Sequence, residues 1–132
     1  MQHKIFISSS VRDSDLAHDL AKRLDKAGLK AITPAENIDA GENIKSKIKE
    51  ELRKADEVIV ILTNNSLDSQ WLLFEMGYAT SLDKHVTPLI QGVEPDELPE
   101  IIRQMNYIKY ADLDEYIAKL QQRVEDATKS AA

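Results

Sequence analysis

Glu57-Val-Ile-Val-Ile-Leu-Thr63 is the stretch on which the fold turns. It is rich in β-branched residues and apolar throughout, with no alternation of polar and apolar positions. A strand with one wet face alternates. A run without alternation suits a central parallel strand covered on both faces. Such a strand needs crossover helices and further strands on either side.

Upstream, Ile44, Ile48, Leu52 and Ala55 recur at helical spacing beneath a Lys/Glu-rich outer face. Before them lies Pro34–Asn43, the longest stretch without periodicity, read as a loop. Leu29–Thr33 reads as a weaker strand closed by Pro34. Leu16, Ala17, Leu20, Ala21 and Leu24 mark a helix, with Asp13 or Ser14 as N-cap and Gly28 just past its end. Lys4–Ser8 is the first strand, followed by three serines. Downstream, the polar loop Thr63–Ser69 leads into a helix over Ser69–Leu82. Lys84–Gln91 is a fourth strand with Pro88 inside it, Glu97–Gln104 a short helix, and Met105–Tyr110 a fifth strand. A last helix starts at Asp112 and carries Leu113, Tyr116, Ile117, Leu120 and Val124, with residues 126–132 expected to fray.

This β-α alternation implies an α/β fold: a flavodoxin-like three-layer sandwich, its five-stranded parallel sheet in the order 2-1-3-4-5 with helices on both faces. One domain is expected over residues 1–132, with its core at 4–124. In such sheets ligands bind at the carboxyl ends of the strands where the order reverses, here between the first and third strands. Ser8–Asp13 and Thr63–Ser69 converge there.

The 132 residues carry a net charge of −6, which argues against nonspecific nucleic-acid binding. With no cysteine there is no disulfide framework, thiolate chemistry or cysteine-based zinc site. The chain opens directly into a strand, without signal-peptide shape, and no apolar run is long enough to span a bilayer. The expected setting is cytoplasmic, with neither nucleic acid nor membrane as partner. His3, His18 and His85 lack metal-ligand spacing, and no metal site is expected.

One helix carries a charge out of place. At 100° steps Trp71, Leu72, Tyr78, Ala79 and Leu82 share an apolar stripe, and Glu75 falls in its middle. A partly buried carboxylate costs several kcal/mol unless it is paired or neutral. Glu75 is therefore the candidate catalytic or ligand-gripping group. Other chemistries on this topology fail on their residues. A phospho-acceptor receiver needs an Asp after the third strand, where Thr63 stands. The G-x-G-x-x-G fingerprint, the phosphate loop and the G-x-S-x-G elbow are all absent. What remains is a serine-rich loop offering N–H groups and hydroxyls to phosphate or ribose, Trp71 as a stacking face, and Glu75 to hold ribose or stabilise a glycosyl cation. Plain readings compete at each position: Glu75 paired with a lysine, Ser8–Ser10 an ordinary turn, Trp71 a core residue, Arg12 a surface charge.

Ile5-Phe-Ile-Ser-Ser-Ser with Asp13 and Leu16-Ala17 resembles the first conserved box of Toll/interleukin-1 receptor (TIR) domains. Ile38-Asp-Ala-Gly41 resembles their BB loop. Ser69-x-Trp71-x-x-x-Glu75-x-x-x-Ala79 resembles their third diagnostic segment in its prokaryotic form. The resemblance runs from about Lys4 to Val124. It implies hydrolysis or cyclisation of NAD+ at the nicotinamide–ribose bond in bacterial defence or stress signalling, with NAD+ as substrate and no cofactor. It implies Glu75 as catalytic residue and Ser8, Ser9, Ser10, Arg12, Trp71 and Gly41 as substrate-binding. It also implies self-association, or binding to other TIR domains, through Pro34–Asn43. Three positions depart from the family pattern: Ser9 and Ile44, where an aromatic is common, and Ala40, where proline is. A non-catalytic TIR adaptor and a nucleoside deoxyribosyltransferase-like enzyme are the alternatives.

Overall fold

The strands bury both faces because their side chains alternate between two apolar layers. In β1 (Lys4–Ser8) Phe6 joins one cluster, while Ile5 and Ile7 join the other. In β3 (Glu57–Leu62) Val58, Val60 and Leu62 face the first and Ile59 and Ile61 the second. This is the two-sided burial that the uniform apolar run requires. The computed structural model describes residues 3–33, 44–66 and 70–131, with side chains throughout except at 11, 44–48, 70–75, 101, 128, 130 and 131.

The remaining elements are α1 (Ser14–Lys26), β2 (Lys30–Ile32), α2 (Ile44–Lys54), α3 (Gln70–Ser81), β4 (His85–Ile90), α4 (Glu100–Arg103), β5 (Ile108–Lys109) and α5 (Leu113–Ala131). All five strands are parallel in the order β2-β1-β3-β4-β5. Leu52 of α2, Met76 and Ala79 of α3, and Ile102 of α4 close one face of the sheet. Ala17, Leu20 and Leu24 of α1, with Leu113, Ile117 and Leu120 of α5, close the other. Among the described residues no helix is long and apolar enough to cross a membrane.

Helix ends explain several boundaries. Gly28, at φ +82°, ends α1 as expected: its N–H bonds Asp25 C=O and the Leu29 N–H bonds Leu24 C=O, both at 3.0 Å. This is the Schellman pattern. α3 ends the same way without a glycine. Asp83 takes φ +59°, and the Lys84 N–H reaches Ala79 C=O at 3.1 Å.

The expected helix over 97–104 is instead two short pieces, a 3-10 turn at Pro95–Glu97 and α4. Leu98, held extended ahead of Pro99, separates them. The fifth strand shrinks from the expected Met105–Tyr110 to Ile108–Lys109, because Tyr110–Asp112 turns into a 3-10 entry to α5. α5 itself is helical to Ala131, through most of the segment expected to fray. Pro88 is accommodated where β5 does not reach, since β5 pairs only at Leu89 and Ile90.

Candidate functional site

The sheet order reverses at β1, whose two neighbours, β2 and β3, lie on opposite sides. The loops leaving β1 and β3 at their carboxyl ends are joined there by one side chain. Asp13, only 4% exposed, accepts a hydrogen bond from Thr63 Oγ1 at 2.7 Å and another from Asn65 Nδ2 at 2.9 Å. The Asn65 N–H returns to Thr63 Oγ1 at 3.0 Å. Ser66 folds the same loop on itself, its Oγ accepting from Thr63 N–H at 2.9 Å. A third loop is attached through Asn64 Nδ2, which donates to Gly92 C=O at 3.3 Å.

Asp13 occupies the N-cap position of α1 but makes no side-chain capping bond. Its carboxylate is spent across the reversal point instead. Capping is the ordinary role of Asp before a helix, and it makes Asp13 or Ser14 the candidate in the sequence. The partners that redirect it are 50 and 52 residues away, and no local signal reveals them.

The expected site residues separate under the structure. Ser8 is fully buried at the end of β1, in register with Val60, so the hydroxyls nearest the surface belong to Ser9 and Ser10, both half-buried. Ser10 structures the turn: its carbonyl accepts from Asp13 N–H at 2.9 Å and its Oγ from Arg12 N–H at 3.3 Å. Arg12 is exposed in the 3-10 turn Val11–Asp13. Trp71 and Glu75 fall in the first half of α3, which begins shortly after the Thr63–Ser66 turn; their side chains lie outside the described set. Gly41 and the whole Pro34–Asn43 loop lie outside the described residues. Thr33, just past β2 at the same edge of the sheet, is buried, and its hydroxyl has no partner among the described residues. Such an atom costs about 1–3 kcal/mol until something bonds it. Among the described residues no group of three His, Cys, Asp or Glu converges to hold a metal.

A second polar centre, missed by sequence reading, sits at the opposite edge of the sheet. Glu57, the first residue of β3, is 1% exposed. His3 Nε2 reaches its Oε2, while Arg123 Nη2 donates to Oε1 at 3.2 Å and Tyr116 Oη donates at 3.4 Å. Burial pushes the Tyr116 phenol up, and the Glu57 carboxylate adds to that rise, against an opposing hydrogen bond with Thr87. This group ties the start of β1, the start of β3 and α5 together. It lies about 20 Å along β3 from the carboxyl edge.

The comparisons with known proteins agree with this geometry. A family model described as TIR domain matches residues 5–124. No curated protein sequence is similar enough to match. The solved TIR domain of the Toll-related receptor TRR-2 from the lower metazoan Hydra magnipapillata superposes with a TM-score of 0.74 at 16% identity, over 92% of this chain and 95% of that one. A metazoan TIR-STING receptor from C. gigas, solved in complex with 2',3'-cGAMP, gives 0.72 at 22% identity over 86% of this chain; the match spans 38% of the receptor. The TIR domains of the activated Roq1 resistosome, which recognises the pathogen effector XopQ, give 0.63 at 17% identity over 98% of this chain and 77% of that one. At these identities the structural likeness is one of fold. The family match covers nearly the whole chain and the sheet order is that of the family: the chain belongs to the TIR domain family.

Proposed function

We propose that the chain is an NAD+ glycohydrolase or cyclase acting in bacterial defence or stress signalling, with Glu75 as its catalytic carboxylate. The observation that carries this reading is the Asp13 tie. It holds the serine loop against the turn that precedes α3, at the point where this sheet order binds ligands. Glu75 stands one turn after Trp71 on that helix.

The chemistry asks little beyond a placed negative charge. The C1′–N bond of the nicotinamide ribose breaks with its electron pair going to the pyridinium nitrogen, which leaves as neutral nicotinamide. The positive charge passes to C1′ and the ring oxygen. A carboxylate beside that cation stabilises it through the transition state, where it counts for rate. Water then adds at C1′ and loses a proton to give ADP-ribose. Attack by a nucleophile of the same molecule gives a cyclic product. In this scheme Ser9, Ser10 and Arg12 hold the phosphates and ribose, Trp71 flanks the leaving ring, and the Pro34–Asn43 loop with Gly41 governs access and association with a second TIR domain. The buried Ser8 supports the loop from beneath.

The test is nicotinamide release from NAD+ by concentrated protein. Glu75→Gln is expected to lower it by about 100-fold or more. Turnover equal to that of the unsubstituted protein would defeat the assignment. A second reading, a non-catalytic adaptor docking other TIR domains, is favoured by Ser9, which brings no ring to stack on nicotinamide. It requires Gly41→Pro to abolish TIR binding while Glu75→Gln changes nothing.

A further inference from the structure

We propose that Tyr78 is a positioning residue that couples α2 to the Glu75 turn of α3; the inference rests on the catalytic reading of Glu75 above. Trp71, Glu75 and Tyr78 are four and three residues apart and occupy successive turns of one side of α3. Tyr78 is the one of the three whose side chain is described, and three restraints on it bear on the coupling. Its ring packs against the cluster holding Leu52 of α2 with Met76 and Ala79 of α3. Lys49 Nζ of α2 stands over its face, 5.5 Å from the centroid. Arg53 Nε, one turn further along α2, donates to its hydroxyl at 2.9 Å. The C-terminal end of α2 is itself anchored, since Lys84 Nζ, just before β4, donates to the Arg53 carbonyl at 3.1 Å.

Packing alone would let α3 slide or turn slightly against α2. A cation on the ring face and a hydrogen bond at the ring tip select one rotation and one height. Both cations come from α2, the helix that follows the Pro34–Asn43 loop. A displacement of α2 therefore carries through Tyr78 to the helix side that bears Glu75. Positioning errors well under a helical turn matter there, because misplacement by about 1 Å can cost about 100-fold in rate. The clamp thus sets where the proposed catalytic carboxylate stands relative to α2.

Tyr78→Phe keeps the ring and the Lys49 contact and removes the hydroxyl that accepts from Arg53. Arg53→Leu removes the donor from the exposed side. Kinetics of nicotinamide release and the fluorescence of Trp71, the single tryptophan of the chain, read the consequence. Each variant is expected to lower kcat by about tenfold with KM unchanged, and to shift the Trp71 emission maximum. The double variant should lose no more than either alone. Unchanged kcat or unchanged emission in Tyr78→Phe, or losses that multiply in the double variant, would overturn the coupling. If the unsubstituted protein releases no nicotinamide, the proposed activity falls and emission alone decides: a shift upholds the clamp, and an unchanged spectrum refutes it.

Discussion

Asp13 offers the sharpest test, because its two possible roles predict opposite results for one substitution. As an N-cap it would be replaceable by serine at almost no cost, since Asp and Ser rank together at that position. As a tie across the reversal point it would not. A serine hydroxyl, one atom shorter and lacking the second oxygen, stops short of both Thr63 and Asn65. Asp13→Ala and Asp13→Ser should therefore fall together. Each forfeits two hydrogen bonds to a charged acceptor, at 2.7 and 2.9 Å, worth about 3 kcal/mol at the low end of the range for charged partners. Releasing a carboxylate that is 4% exposed returns part of that, and the buried Thr63 hydroxyl left without its acceptor takes part of it back. The net expectation is a loss of about 2–3 kcal/mol for either variant. Urea unfolding followed by far-UV circular dichroism, at unchanged m, measures it. A cycle with Thr63→Val should show coupling of about 1 kcal/mol or more. Asp13→Ser within about 0.5 kcal/mol of the unsubstituted protein would refute the tie and restore the cap.

Two further outcomes follow from the other polar groups. Tyr110 donates to Asp19, and its pKa is raised above the ordinary value of 10.0 first by burial and then by that bond. A group whose folded pKa is raised contributes stability that is whole below its unfolded pKa and is lost as pH rises through the folded one, so the protein should weaken above about pH 10. In denaturation curves between pH 8 and pH 11, roughly the span of tyrosine titration, the gap between Tyr110→Phe and the unsubstituted protein should narrow; a constant gap would count against the linkage. Glu57→Gln keeps the shape but removes the charge that Arg123 and His3 meet, and should cost about 2 kcal/mol while leaving nicotinamide release unchanged. A loss of turnover without a loss of stability would contradict its placement at the far edge of the sheet.

The sheet was legible because its determinants are local. β3 announces two-sided burial by lacking alternation, Gly28 announces a helix end by needing φ +82°, and the spacing of α1 and α5 residues is helical. The order 2-1-3-4-5, the first expectation for five such alternating strands, is the order the sheet adopts. Where the reading slipped, a tertiary or stereochemical competitor won. Pro99 holds Leu98 extended and confines the expected fourth helix to Glu100–Arg103, although both residues stand in plain sight in the sequence. Asp83 closes α3 in a glycine's conformation, which composition does not forecast.

The two glutamates show why the site was only partly legible. Periodicity flags Glu75, because a helix has a long apolar stripe against which one charge stands out. It cannot flag Glu57, which begins a strand, where a polar residue is unremarkable. Yet Glu57 is buried, and His3, Tyr116 and Arg123, from 54 to 66 residues away, satisfy it. A buried carboxylate is thus no functional sign in itself. Glu57 is consumed by its partners at the amino-terminal edge of the sheet, where burial serves stability. The case for Glu75 rests on different ground: the helix that carries it follows the turn that Asp13 pins at the reversal point, where this sheet order binds ligands. A charge misplaced in a helix says only that something must meet it. Nicotinamide release by Glu75→Gln decides whether that something is the protein or a substrate.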